Sequence, residues 1–217
     1  MGTGQYENDY EMKMISMMRG KKTIVDIGAN LGFYTVIAGK LYPTSRVYSF
    51  EPIPQTFAIL EDNIRLNGVT NSVAENIALS DEHQKNVRGG LMYYTPEASG
   101  AASFANIQER EGIKLVEVNM ATLDDYFRGE RVDFVKCDVE GSEFHVFKGA
   151  EKTLRKHRPV IFVEILRKWC LKFGHTASDV VDFLKSCGYK MYVVRETNLT
   201  SLDSITDDTA DTNFVFC

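Results

Sequence analysis

Residues Thr23 to Ala29 (TIVDIGA) run apolar and β-branched into a glycine, and from Phe33 to Leu41 apolar residues recur at helical spacing until Pro43 stops them. A buried strand that turns on glycine directly into a helix opens a βαβ unit, because parallel strands need a crossover of this kind. The unit then repeats. Arg46 to Phe50 (RVYSF) reads as a second strand, and from Pro52 onward Ile53, Phe57, Leu60 and Ile64 share one helical face before Asn67-Gly68 supplies a left-handed stop.

Val73 to Leu79 is a third short strand. The polar stretch from Ser80 to Gly112, with Gly89-Gly90 and Ser99-Gly100, is of a length that is functional or conceals a hairpin in a compact domain. Ile113 to Met120 alternates as a half-buried strand, Leu123 to Phe127 is a short helical piece, and Val132 to Cys137 is a fourth core strand. Glu143 to Lys156 sets Phe144, Phe147, Ala150 and Leu154 on one helical face up to Pro159, and Val160 to Ile165 is a fifth strand. Ser178 caps a helix carrying Val181 and Leu184 that Gly188 ends, and Tyr189 to Arg195 with Asn213 to Phe216 form a closing antiparallel hairpin. Strands alternating with helices predict an α/β fold: a mostly parallel sheet covered on both faces, with one reversed strand at the end.

At 217 residues one core suffices, since a domain of this size buries roughly 70% of its unfolded-chain surface. The expected organisation is a peripheral amphipathic helix or arm over residues 1–22 and one domain over 23–217, with no repeat or low-complexity tract. The 25 Lys and Arg against 30 Asp and Glu give a net charge of -5, without the basic footprint of a nucleic-acid binder. Cys137, Cys170, Cys187 and Cys217 are scattered, with no CxxC pair, which fits a reducing cytoplasm. The longest apolar runs are strand-length, far short of the ~20 residues that span a bilayer, so no membrane insertion is expected.

In a sheet of this type ligands bind at the carboxyl ends of the strands. Four strand ends carry acids there. The turn Asp26-Ile27-Gly28-Ala29-Asn30-Leu31-Gly32 has Gly-x-x-x-Gly spacing, which departs from the G-x-G-x-x-G that grips a dinucleotide pyrophosphate. An acid ahead of its glycines repels phosphate and suits an ammonium. Glu51 ends the second strand, where a carboxylate accepts hydrogen bonds from a ribose diol, a geometry shared with nicotinamide enzymes. Asp138-Val-Glu140-Gly141-Ser142-Glu143 places three carboxylates after the fourth strand. Read as extended chain, Asp138 and Glu140 point the same way, so that one positions or deprotonates an acceptor hydroxyl while the other holds cofactor or a divalent ion. Glu143 reads more simply as a helix start favoured by the helix dipole. Glu164, ending the fifth strand, is a further base candidate, with Arg167 and Trp169 just beyond it, and Lys136 stands one step earlier on the fourth strand as a partner for an acid. His83, His145, His157 and His175 read as structural or exposed. No metal site is assigned, although Asp138, Glu140 and Glu164 form an oxygen-rich set suited to Mg²⁺ or Ca²⁺. The segments Ser99 to Phe104 and Thr200 to Asp211 are candidate lids.

DIGANLGFYT (Asp26 to Thr35), FEPIPQTFAILEDNIRLN (Phe50 to Asn67), NIALSD (Asn76 to Asp81), SGAASF (Ser99 to Phe104), TLDDYF (Thr122 to Phe127), VDFVKCDVEGSEFHVFKGA (Val132 to Ala150) and PVIFVEI (Pro159 to Ile165) together resemble the FkbM family of S-adenosylmethionine-dependent methyltransferases. The resemblance implies a seven-stranded Rossmann-like methyltransferase fold, S-adenosylmethionine as methyl donor with S-adenosylhomocysteine as product, and O-methylation of a hydroxyl on a sugar or other small metabolite. It implies that Asp26, Gly28, Asn30 and Gly32 form the cofactor loop, that Glu51 takes the ribose and that Ala78-Leu79 lie along the adenine. Ala29, Phe33, Tyr34, Thr35 and Pro52, in the same matched segments, complete the expected cofactor-binding set. Phe33 and Tyr34 are placed to face a cation, a contact worth on the order of 0.5–2 kcal/mol. Two other readings stay open: a nicotinamide-dependent oxidoreductase on a related sheet, which the glycine spacing disfavours, and a non-catalytic binding module.

Overall fold

The structure is a computed structural model that describes residues 3–81, 90–95, 98–105, 113–206 and 208–217. In chain order, helix α1 (Thr3–Met17) leads into strand β1 (Thr23–Ile27), α2 (Phe33–Leu41), β2 (Arg46–Phe50) and α3 (Pro54–Leu66). Then come β3 (Ser72–Glu75), β4 (Ala78–Leu79), β5 (Gly90–Thr95), β6 (Ala98–Ser103), β7 (Lys114–Val118) and β8 (Met120–Ala121). After α4 (Leu123–Phe127) follow β9 (Phe134–Cys137), α5 (Glu143–Lys148), α6 (Glu151–His157) and β10 (Val160–Glu164). Helix α7 (Arg167–Cys170) runs into a 3₁₀ turn (Leu171–Phe173), and α8 (Ala177–Ser186), β11 (Met191–Arg195), β12 (Asn198–Ser201) and β13 (Asn213–Phe216) close the chain.

The main sheet has the order β12-β11-β13-β10-β9-β1-β2-β3. The β10-β9-β1-β2-β3 run is parallel throughout, as the strand-helix alternation requires, and β13 is reversed. Strand β13 does not simply hairpin with β11. It inserts between β10 and β11 and pairs antiparallel with both, while β12 turns back on β11 as an eighth, edge strand. The β11-β12 turn places Glu196 and Thr197 at φ 48° and 68°, the left-handed pair of a tight hairpin, without the Asn-Gly signal that usually announces one.

Alternation along each strand splits the core into two layers. Val25, Ile27, Val135, Cys137, Ile161 and Val163 face α4, α5, α6 and α8, while Ile24, Phe134, Phe162 and Val215 face α1 and α2. Phe134 and Phe162 stack across neighbouring strands with centroids 5.5 Å apart. The first segment is a helix packed on the sheet: Met14 and Met18 are each only 2% exposed and seal the second layer.

Four other local expectations are corrected. The run Val73 to Leu79 divides into β3 and β4, which belong to different sheets, because Asn76 between them donates to the carbonyls of Glu51 and Pro52 at 2.8 and 2.9 Å and turns the chain. The run Ile113 to Met120 likewise divides into β7, in a three-stranded sheet ordered β6-β5-β7, and β8, which pairs with β4; the hairpin concealed in the polar stretch is β5-β6. The helix expected from Glu143 to Lys156 is two helices, broken where Gly149 passes so near Ser80 that a Cβ would lie 2.0 Å from its carbonyl oxygen. The cap of α8 is Thr176 rather than Ser178: its hydroxyl accepts from the Asp179 N–H, and the Asp179 carboxylate accepts in return from the Thr176 N–H at 2.7 Å. Among the described residues no helix is long and apolar enough to cross a membrane.

In urea denaturation, Thr176→Ala is expected to cost about 1 kcal/mol, the worth of an N-cap. Gly149→Ala, which must push backbone from backbone, is expected to cost at least about 2 kcal/mol. The reverse order would show that the α5-α6 break is not held by this close approach.

Candidate functional site

A cleft of about 260 Å³ opens at the carboxyl ends of β1, β2 and β9, beside β4. Of the residues singled out from the sequence, Gly28, Ala29, Asn30, Phe33, Tyr34, Glu51, Pro52, Ala78, Leu79, Asp138 and Glu140 line it. Asp26, Gly32, Thr35 and Glu164 do not. Sequence reasoning passes over Lys136 as a wall residue, together with Phe50, Ile77 and Met92.

The parallel register explains where Asp26 goes. It sets Asp26 between Ser49 of β2 and Lys136 of β9, all on the α2 face of the sheet. Asp26, 2% exposed, accepts from the Thr35 hydroxyl at 2.8 Å, and that hydroxyl lies 2.7 Å from the Ser49 hydroxyl. Asp26 thus braces the wall from behind, and Thr35 with it. Gly28 follows at φ 71° and sits so close to the β9 end that a Cβ would meet the Asp138 carbonyl oxygen at 1.9 Å; only glycine fits. Gly32 precedes α2 in a left-handed conformation.

Glu51, 5% exposed, accepts from the Asn30 N–H through one oxygen and from the Ile53 N–H through the other, both at 3.0 Å. Burial pushes its carboxyl up to about 7, against the lowering effect of those two N–H groups and of Lys136. Each oxygen keeps a lone pair for a ligand hydroxyl. Phe50, Pro52, Ile77, Ala78 and Leu79 give this end of the cleft an apolar slot.

The opposite wall is polar. The Lys136 Nζ lies 3.4 Å from Asp138 and 3.6 Å from Asp26, donates to the Gly28 carbonyl at 3.2 Å and stands 5.2 Å from the centroid of the Tyr34 ring. Burial pulls the ammonium down, but Asp26 and Asp138 together hold it above its ordinary value. The expectation of an extended Asp138-Glu140 segment is corrected, since Glu140 takes φ 56° and the chain turns. Glu143 does more than start a helix. Only 1% exposed, it accepts from the N–H groups of Val139 and Gly141 at 3.2 and 3.0 Å and so staples that turn. Burial pushes Glu143 up to about 7, and burial with Asp138, Glu164 and Glu143 pushes Glu140 up to about 9, so Glu140 is a neutral hydrogen-bond donor at neutral pH. Glu164, behind the wall, is raised by burial and by its neighbour Asp138, and accepts from the Thr212 hydroxyl.

Among the described residues no three His, Cys, Asp or Glu side chains are arranged to hold a metal ion; the space between Asp26 and Asp138 is taken by the Lys136 ammonium. None of the described histidines lines the cleft: His145 pairs with Asp81 at 3.0 Å, and burial lowers His175. His83 lies outside the described residues. Of the two candidate lids, Ala102 and Phe104 reach the cleft, whereas no described residue of 200–211 does, nor do Arg167 and Trp169.

In two solved structures the fold recurs. One is a methyltransferase FkbM from Methylobacillus flagellatus KT, 18% identical, matched over 90% of this chain and 43% of that one with a TM-score of 0.57. The other is a precorrin-6y C5,15-methyltransferase from Geobacter metallireducens GS-15, 16% identical over 95% of this chain and 85% of that one, with a TM-score of 0.52. Among curated proteins, Methyltransferase 1 of Beauveria bassiana is 30% identical over 148 residues, which is 59% of this chain and 58% of that protein. The 2-O-methyltransferase NoeI of Sinorhizobium fredii is 26% identical over 145 residues, 62% of this chain and 60% of that protein. The chain thus spans about three fifths of the length of these curated relatives. The Methyltransferase FkbM domain profile matches residues 26–191, from the buried aspartate of β1 to the start of β11, and with the cleft at the ends of those strands this chain belongs to the FkbM methyltransferase family.

Proposed function

We propose that this chain is an S-adenosylmethionine-dependent methyltransferase acting on a hydroxyl of a small metabolite or sugar. The observation that carries the reading is one cleft with a buried carboxylate beside an apolar slot at one end and an acid-rich wall around Lys136 at the other. The residues fit such a donor: Glu51 keeps lone pairs for ribose hydroxyls, the slot at Ala78 and Leu79 accepts a flat apolar ring, and the Gly28 turn brings backbone to the cleft edge. Bound there, S-adenosylmethionine would supply an activated methyl group on a sulfonium cation. Glu51 would hold the ribose and Ala78 and Leu79 the adenine, while the acids of the opposite wall favour positive charge.

On the acceptor side Asp138, ion-paired to Lys136, is the residue to take the proton of a hydroxyl, and neutral Glu140 donates a hydrogen bond that orients it. Glu164 neighbours Asp138, whose charge together with burial raises the Glu164 carboxyl. Most of the rate is alignment of acceptor and donor, with proton removal an added need for a hydroxyl. The small sheet supplies Met92 and Phe104, which pack with Ile53 and Ala78 and so extend the apolar end of the cleft. The printed name of NoeI, a 2-O-methyltransferase, supports a hydroxyl acceptor.

Isothermal titration with S-adenosylhomocysteine is expected to show binding that Glu51→Ala weakens roughly 10- to 100-fold, the worth of hydrogen bonds to a charged group; undiminished binding would remove the ribose assignment. In an acceptor screen with a methyl-transfer readout, Asp138→Asn is expected to lower turnover about 100-fold or more while product binding persists, and wild-type turnover would exclude Asp138 as base. Stability should depend on pH in a definite direction. Glu51 and Glu143 titrate near 7 and Glu140 near 9 when folded, against 4.5 for a free glutamate, so the folded chain holds the extra protons between those values and stability falls as pH rises across that window. Urea midpoints at pH 5.5, 7 and 8.5 are therefore expected to decrease in that order, and Glu140→Gln to flatten the last step.

A further inference from the structure

Helix α1 lies ahead of the segment matched to the family, yet it is bonded to Tyr34 of the cleft wall. Glu11 accepts a hydrogen bond from the Tyr34 hydroxyl at 2.8 Å. One residue earlier, burial and the charges of Tyr34, Asp138 and Glu164 push the Tyr10 phenol well above its ordinary range. The helix is fixed in this position. Met14 and Met18 are buried, the Tyr10 ring meets Phe162 edge-on at 5.2 Å, and the Tyr42 hydroxyl of the residue after α2 donates to the Ile15 carbonyl at 2.5 Å. Tyr34 in turn lines the cleft, and the Lys136 ammonium rests against its ring.

We propose that Glu11 is a positioning residue of the methyl-donor site, acting through Tyr34 to fix the ring against which Lys136 rests. The inference deepens the reading of the cleft as an S-adenosylmethionine site and rests on it. A phenol donating to a carboxylate makes a charge-assisted bond, stronger than one to water or to a neutral acceptor, so the ring keeps one orientation. That orientation bears on Lys136, whose contacts with Asp26, Asp138 and the Gly28 carbonyl define the polar wall. The contacts run from Glu11 through Tyr34 to Lys136, and Glu51 feels them only through the charge of Lys136. The donor site is accordingly built from two segments, the family domain and a helix that precedes it.

The test is calorimetric titration of the full chain with two probes, adenosine, which engages the Glu51 end, and S-adenosylhomocysteine, which extends to the polar end. Glu11→Ala and Tyr34→Phe are each expected to weaken S-adenosylhomocysteine about 5- to 10-fold, with no further loss in the double variant, because both remove one interaction. Adenosine affinity stays within about twofold, and Glu11→Gln, which keeps an acceptor but loses its charge, restores only part of the loss. Additive losses, an equal loss for adenosine, or wild-type S-adenosylhomocysteine binding in Glu11→Ala would overturn the proposal. Should Glu11→Ala fail to fold, Tyr34→Phe keeps the ring and removes only the hydroxyl, and wild-type binding there overturns it equally. A wild-type chain that binds adenosine but loses nothing by having S-adenosylhomocysteine replaced with it would instead overturn the donor-site reading itself.

Discussion

A lysine ammonium removed from water is retained as a charge only where acids meet it, and breaking such a buried pair typically costs 3–5 kcal/mol. Lys136 is in this position, and the site is organised around it. The register of the parallel sheet makes Asp26 its lateral neighbour, the strand end makes Asp138 its next residue but one, and the glycine turn offers the Gly28 carbonyl. Strands β1 and β9, the first turn and the start of α2 are tied at one point. The tie also sorts the acids: Asp26 is spent on the wall's integrity, while Asp138 is left half on the wall and half in the cleft.

Two buried glutamates do for the backbone what Lys136 does for the charges. Glu51 binds the N–H groups of Asn30 and Ile53, and Glu143 those of Val139 and Gly141. Each clamps a turn leaving a strand, and each turn contains a non-glycine residue in the left-handed region, Asn30 at φ 50° and Glu140 at φ 56°. Such conformations persist only where surroundings over-determine them, and they concentrate at functional sites. The carboxyl groups doing the clamping are themselves raised by burial. The molecule thus accepts proton-linked instability at one end of its sheet in exchange for two rigid turns facing one cleft.

Much of this architecture is legible in the amino-acid sequence. The βα units, the strand ends and the glycine turn follow from apolar periodicity and turn chemistry, which act over a few residues. Glu51, Asp138 and Glu140 stand out because each lies at or just beyond the end of a strand. Lys136 reads only as a partner for an acid, since a lysine inside a core strand carries no local mark of facing a cleft. Met92 escapes notice for another reason: it comes from a hairpin inserted between β4 and β8, whose polar sequence conceals how it folds back. The single helix expected after Glu143 fails at Gly149, where the contact that breaks it is with Ser80, far away in sequence.

Taken alone, the sequence determined the class of sheet, the order of its parallel units and the end of it at which acids collect, because these depend on contacts within a strand or a helical turn. Tertiary structure decided the rest. It placed β13 between β10 and β11, turned Asp26 and Glu164 behind the wall, set Glu143 across the Glu140 turn and brought Glu11 to Tyr34. Those outcomes depend on register, on which face each side chain takes and on how closely two backbones approach, and such quantities exist only once distant segments have packed.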